Sequence, residues 1–346
     1  MSSPLTGPPP PLLEARRVTM VFGSGLLRFR GFVALEDLSL AIHRGRATVV
    51  AIAGESGSGK TTLARLLLGI IPPTGGSIHY NGTPLPALSA QDRLAFRRDI
   101  QAIFQDPFES FNPFYRVDHV LATAVRKFGL ATSPAGAREL VERALRQVGL
   151  RPDETLGRYP HQLSGGQRQR VMVARAMLIR PRVIIADEPV SMVDASLRAT
   201  ILESLLAMNR DLGCSIVYIT HDLATAYQVS ERILILYRGV VAEAGDVDAV
   251  INRPQHPYTQ LLVASIPTTT GESRWGREAG QVAAAEIDAA SARGCRFADR
   301  CPHVMPICRA SAPPLRQTEP DRAVACYLYH PDGIPLPQTT EPARSA

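Results

Sequence analysis

The chain has 346 residues, 45% of them apolar, and its 38 basic and 32 acidic side chains leave a net charge of +6. That length holds one large domain or two moderate ones, and the apolar fraction is ordinary for a soluble globular protein. The first ten residues carry no signal-like region and no apolar stretch is long enough to span a bilayer, so a cytoplasmic protein is expected, and scattered arginine without a block of like charge argues against a nucleic-acid arm.

Residues 1–12 include five prolines and little that can pack, which predicts a disordered leader. From Leu13 to about Arg46 short β-like runs alternate with turns, as in the stretch Ala34 to Ile42, and predict an antiparallel β layer. The apolar run 48–53 reads as a strand feeding a glycine-rich loop, and Leu63 to Leu68 as the helix after it. Residues 90–178 are mostly helical in pattern; Leu140, Val141, Ala144, Leu145 and Val148 share one face, with Gly149 as a stop. The β-branched runs 183–186 and 215–220 flank a helical segment, 195–212, and 233–237 adds another strand. Strands alternating with helices predict an α/β fold with a parallel sheet. Residues 267–290 read as a linker, 291–330 as a small cysteine-bearing unit and 331–346 as a proline-rich tail.

The loop reads Gly54-Glu55-Ser56-Gly57-Ser58-Gly59-Lys60-Thr61-Thr62 and fits the G-x-x-x-x-G-K-[ST] pattern at every fixed position. Glycines let backbone amides converge on phosphate, the following helix adds its positive dipole end, Lys60 supplies a compact charge and Thr61 a hydroxyl for magnesium. Of 38 basic residues only Lys60 and Lys127 are lysine, so a lysine here is chosen for its shape.

The run 183–186 ends in Asp187-Glu188. At the carboxyl end of a parallel strand these acids suit magnesium binding (Asp187) and polarisation of an attacking water (Glu188). His221 after the 215–220 strand could reach a γ-phosphate or be a surface residue, and Gln105 could contact magnesium or be merely solvated. Leu163-Ser164-Gly165-Gly166-Gln167, opening a helical run, offers a hydroxyl, glycine amides and a helix N-terminus as a second anion-binding surface, or an ordinary cap.

In this order the motifs resemble the ATP-binding-cassette (ABC) ATPases from about Leu13 to Pro267. The resemblance implies a P-loop cassette at 13–266, with a parallel-sheet core, an antiparallel β layer and a helical subdomain. It also implies ATP and Mg2+ as ligands, and head-to-tail pairing with a second, identical or related ATPase, whose nucleotide the signature 163–167 closes over. Phe22 matches the family's adenine-stacking aromatic, although a core role is open to it, and Asp194 matches the acid of a loop that usually reads Ser-Ala-Leu-Asp where this chain has Ser191-Met192-Val193-Asp194. The segments 256–262 and 294–326, with 105–107 and 111–113, are similar to the peptide, nickel and oligosaccharide branch of ABC importers. That branch implies two membrane permeases as partners, docked near 108–115 at the inner membrane face, and an extracytoplasmic solute-binding protein met indirectly.

Four of the five cysteines, Cys295, Cys301, Cys308 and Cys326, fall after residue 290. In a reducing compartment they point to a metal or cluster rather than disulfides. Their gaps lack the paired spacing of zinc sites and suit a [4Fe–4S] cluster better; zinc and free thiols remain alternatives. Arg293, Arg296, Arg300 and Arg309 lie near enough in sequence to offset thiolate charge, and some members of the branch carry such a cluster. The expected role is structural or redox-sensing, apart from ATP hydrolysis. Cys214 is expected to be a small buried residue.

Overall fold

The computed structural model describes residues 10–23, 31–106, 111–191, 193–266 and 293–329. The expected linker, the tail, most of the leader, Met192 and the 107–110 part of the expected permease-facing surface lie outside these residues. In chain order, β1 (Leu13–Phe22) and β2 (Phe32–Ile42) precede β3 (Val49–Ala53), α1 (Lys60–Leu67), β4 (Gly75–Tyr80), β5 (Thr83–Pro84), α2 (Ala90–Asp99) and β6 (Ile100–Ile103). Next come α3 (Asp118–Lys127), α4 (Pro134–Gln147), α5 (Pro152–Thr155), α6 (Gly165–Ile179), β7 (Val183–Asp187), α7 (Ala195–Leu212) and β8 (Ser215–Thr220). The chain continues through α8 (Leu223–Val229), β9 (Arg232–Tyr237), β10 (Val240–Asp246), α9 (Val247–Asn252) and α10 (Pro257–Ala264), and closes with α11 (Pro306–Ala310), β11 (Arg316–Glu319) and β12 (Arg322–Val324).

Two compact units result, one gathering Met1–Gly45, Ala51–Ala87 and Thr220–Ala346, the other Arg46–Val50 and Leu88–Ile219. In the first, β2-β1-β4-β5 form an antiparallel layer whose alternation buries Leu13, Ala15, Val18 and Met20. Just before β1, Leu12 is buried and donates its amide to the Ile42 carbonyl at 2.8 Å. A second sheet runs in the order β11-β12-β10-β9-β3. Its two C-terminal strands were not anticipated from the sequence. Three or four residues long, they carry no period, yet β12 pairs antiparallel with β10 from Glu243↔Val324 to Gly245↔Arg322. Arg322 seals that edge with bonds of 2.9 and 2.6 Å to the Glu243 carboxylate, both side chains lying almost fully buried. Glu243 is fully satisfied, as a buried charge must be, since it also accepts the Gln255 and His256 amides at 3.1 and 2.9 Å. The core of this unit includes Ala51, Ala53, Ile233, Ile235, Tyr237, Tyr258 and Phe297. Residues 293–329 therefore pack within the same unit as the phosphate loop.

In the second unit β6, β7 and β8 are parallel neighbours, with registers running from Ile100↔Val183 and Val183↔Ser215. Every residue of β7 and β8 is buried, the uniform apolar run of a strand covered on both faces. Strand β6 interrupts the region read as mostly helical, its four residues being too few to show a period. Helix α4 starts five residues before the periodic stretch at Glu139, because Ser133 accepts the Gly136 amide at 3.1 Å and Pro134 takes the first helical position. Helix α7 and strand β8 fall on the expected residues, and Cys214 is buried, which pushes its thiol up to about 12.

Candidate functional site

In the first unit, β3 delivers the chain into the loop 54–59 and α1 begins at Lys60. Gly54, Gly57 and Gly59 have φ of +154, +78 and +100°, and a Cβ would lie 2.2 Å from the Leu236 carbonyl at Gly54 and 2.4 Å from the Ala34 carbonyl at Gly59. Only glycine permits that packing. Lys60 is buried and its Nζ donates to the carbonyls of Gly54 and Glu55 at 2.8 and 2.9 Å, curling the loop around its own cation. The Ser58 hydroxyl is buried without a hydrogen-bond partner among the described residues. Ser56, Gly57 and Thr61 are exposed, and Thr62 is half-buried. An amide-lined cradle with a central ammonium, an unsatisfied hydroxyl and an open threonine at the head of a helix fits a polyphosphate with its magnesium.

The same unit holds Phe22 at the end of β1, 42% exposed and so not core, and an exposed His221 directly after β8. Asp222 next to it caps α8, accepting the Ala224 amide at 2.9 Å.

The second unit gathers the acidic residues. Asp187 is the buried last residue of β7. Glu188 follows it, half-buried, with φ of +45°, and is held by three bonds: its amide donates to Ile219 at 2.9 Å while its carbonyl accepts the Ser191 amide at 3.2 Å and the Ser191 hydroxyl at 3.0 Å. A left-handed glutamate is sterically disfavoured and persists because its surroundings over-determine it. Gln105 is exposed two residues beyond β6, at the same carboxyl end of these parallel strands. Ser164 caps α6 in a reciprocal box: its hydroxyl accepts the Gln167 amide at 3.2 Å, and the Gln167 side chain accepts the Ser164 amide at 2.9 Å. The helix-cap reading of the signature is thus realised. Ser164 stays exposed, its hydroxyl proton is uncommitted in that box, and Gly165 and Gly166 open the helix behind it. A Cβ on Gly166 would come within 2.8 Å of the Leu197 side chain, so packing against α7 demands glycine there. Asp194 precedes α7, exposed.

The C-terminal residues bring the four cysteines together. Cys295, Cys301, Cys308 and Cys326 line one small apolar cavity with His256, Phe297 and Leu328. The Cys295 amide donates to the Cys308 carbonyl at 2.7 Å, a close approach that Gly294 permits. Desolvation raises the thiols of Cys295 and Cys301 and pushes Cys326 up to about 11. Among the described residues, however, no three or more His, Cys, Asp or Glu converge closely enough to hold a metal ion. Neither the zinc nor the cluster expectation gains support from these positions. The arginines also differ from expectation, because three of them already face carboxylates: Arg296 pairs with Glu36, Arg309 with Asp299 at 2.8 Å and Arg300 with Glu55 at 2.9 Å.

This last pair was not legible in the sequence. Arg300 grips Glu55, inside the phosphate loop, with both terminal nitrogens, at 2.9 and 3.0 Å, and the Glu55 amide donates to the Tyr258 hydroxyl at 2.9 Å. The only sequence signal was an acid in a loop built for anions. Its partners lie more than 200 positions away.

A strand-loop-helix cradle of β3, the 54–59 loop and α1 defines a P-loop nucleotide-binding cassette. Residues 35–191 match the ABC transporter family, and residues 242–308 match the oligopeptide/dipeptide transporter C-terminal region. The chain is 38% identical over 323 residues to YkfD of Bacillus subtilis (strain 168), named for oligopeptide transport, covering 92% of this chain and 96% of that one. It is 37% identical to the di/tripeptide transport ATP-binding protein DppF of Pseudomonas aeruginosa (strain UCBPP-PA14), over 91% of this chain and 97% of the other. Among solved structures, the dimeric ATP-binding cassette MJ0796 bound to ADP and Pi aligns with a TM-score of 0.60 at 29% identity, over 68% of this chain and 98% of that one. CbiO1 from Clostridium perfringens, part of the transporter complex cbiONQ, aligns at 0.58 and 26%, over 70% and 92%. The chain belongs to the ATP-binding subunits of ABC transporters, in their oligopeptide/dipeptide branch, and is an ATP hydrolase of that family. Among the described residues no helix is long and apolar enough to cross a membrane.

Proposed function

We propose that this chain drives the import of peptides by hydrolysing ATP while docked, at the cytoplasmic face of the inner membrane, on two permease subunits. The observation that carries the reading is the joint match to a cassette and to the peptide-branch C-terminal region in one chain. In this reading residues 13–266 are the ATPase domain and 291–330 its C-terminal extension. Amides of the 54–62 loop and Lys60 hold the phosphates, and Phe22 stacks on adenine. Thr61, Gln105 and Asp187 would hold magnesium, which would supply positive charge to offset that of the phosphates. Glu188 polarises the attacking water, and His221 contacts the γ-phosphate. Ser164, Gly165, Gly166 and Gln167, with Asp194, serve the nucleotide of a second ATPase subunit, so binding closes the pair and hydrolysis reopens it. A solute-binding protein outside the membrane is met only through the permeases.

The four cysteines are proposed to hold one shared [4Fe–4S] centre. The reading rests on the clustering and unpaired spacing of the four thiols in the sequence; their positions in the structure do not by themselves form a metal site among the described residues.

Reconstitution of the chain with its permeases and companion ATPase in vesicles tests the transport reading. Labelled di- and oligopeptides should accumulate only with ATP, and Lys60→Ala should abolish uptake. Uptake of no peptide by a complex that hydrolyses ATP would overturn the assignment of substrate.

A further inference from the structure

The second position of the phosphate loop is a glutamate. A carboxylate there is unfavourable on its face, because the loop must admit a polyanion and like charges at close range repel strongly outside bulk water. The surroundings of Glu55 resolve the conflict. Arg300, last residue of the 3-10 turn Ala298–Arg300, forks onto both carboxylate oxygens. Its guanidinium lies 5.8 Å from the Tyr237 ring centre and 5.6 Å from that of Phe297, and Nη1 also reaches the Tyr237 hydroxyl at 3.4 Å. Those rings are locked against Tyr258, with centroid separations of 4.4 Å for Tyr237–Tyr258 and 5.6 Å for Tyr258–Phe297. The Tyr258 hydroxyl then accepts the Glu55 amide, while the Glu55 carbonyl accepts from Lys60 Nζ and, at 3.2 Å, from the Ser58 amide. Every polar group of Glu55 is thereby occupied. Its charge is cancelled from the C-terminal side, and its backbone fixes Lys60 and Ser58, two groups of the cradle.

We infer that Arg300 is a positioning residue for the ATP site of its own subunit, neutralising Glu55 and bracing the phosphate loop through the Tyr237, Tyr258 and Phe297 rings. The C-terminal extension accordingly acts on nucleotide affinity. This rests on the ATP-site reading above, and the test separates the two. A bidentate fork on a carboxylate is arginine chemistry that lysine reproduces only as a point charge.

The full-length chain is titrated with a fluorescent ATP analogue, and the assembled complex is assayed for KM and kcat. Arg300→Ala should weaken ATP binding and raise KM about tenfold, with kcat at saturating ATP changed far less, because the free carboxylate now opposes the nucleotide. Arg300→Lys should recover part of the affinity. Arg300→Ala combined with Glu55→Gln should recover most of it, a rescue that a merely structural role in folding the extension would not give. A KM for Arg300→Ala within about twofold of the parent, or a double variant no better than Arg300→Ala, would overturn the inference. Failure of the unsubstituted chain to bind ATP would instead overturn the ATP-site reading.

Discussion

Glu188 is held in the left-handed region at φ +45° by the Ile219 carbonyl and by Ser191. Such a conformation costs on the order of 1–3 kcal/mol, and it sets the carboxylate of a half-buried residue immediately after a buried aspartate. Glu188→Gln keeps shape and backbone bonds while removing the basic oxygen. ATPase activity of the complex should fall by about 100-fold or more, with nucleotide affinity retained. Activity within about tenfold of the parent would contradict its role. Gly54→Ala has the opposite signature. Its methyl would stand 2.2 Å from the Leu236 carbonyl in a backbone conformation alanine avoids, so the cradle must distort and calorimetry should find ATP binding lost. Undiminished affinity in that variant would mean that the loop tolerates a side chain where none fits.

At the head of helix α6, Ser164 is a cap as well as a residue of the proposed signature. Ser164→Ala removes the hydroxyl that takes the Gln167 amide, and should lower stability by about 1 kcal/mol in denaturant unfolding of the full chain. A variant as stable as the parent would mean that the box contributes nothing. What could be read at this scale follows from pattern length. Helix α7 has 18 residues bounded by Gly213, and β7 and β8 are β-branched runs buried on both faces, so their limits were visible. Strands β6 and β11, with four residues each, and β12, with three, owe their existence to partners rather than to any period. The motifs of the candidate site were legible because phosphate chemistry fixes residue types at fixed spacing. The Arg300–Glu55 pair was not, because local sequence carries no record of which carboxylate a distant arginine will meet. The cysteine cavity stands between these cases: the clustering of thiols was visible, while their arrangement depends on backbone contacts such as Cys295 to Cys308. Anaerobic purification with iron, sulfide and zinc analysis should give four irons, four sulfides and a brown chromophore per chain. A colourless, metal-free protein with four titratable thiols would remove the cluster.

At the scale of the whole molecule, Ser164 at the head of α6 caps the helix and is also exposed, where the proposed pairing would bring it to another subunit's nucleotide. The capping box satisfies the first-turn amide of Gln167, and in the proposed pairing the serine hydroxyl and the glycine amides would face a ligand outside the helix. In the proposed pairing with a second ATPase, association should be driven by ATP and trapped when hydrolysis is blocked. Light scattering of full-length Glu188→Gln, alone and mixed with a related ATPase subunit of the same branch, should show a doubling of mass on adding ATP. Ser164→Arg in the same background should prevent that doubling, because a bulky cation occupies the surface meant for the partner's nucleotide. The isolated Ser164→Arg chain should nevertheless bind ATP at its own phosphate loop with the affinity of the parent. Loss of that binding in a folded monomer would mean that the signature serves the nucleotide of its own subunit, and the head-to-tail arrangement would fall with it.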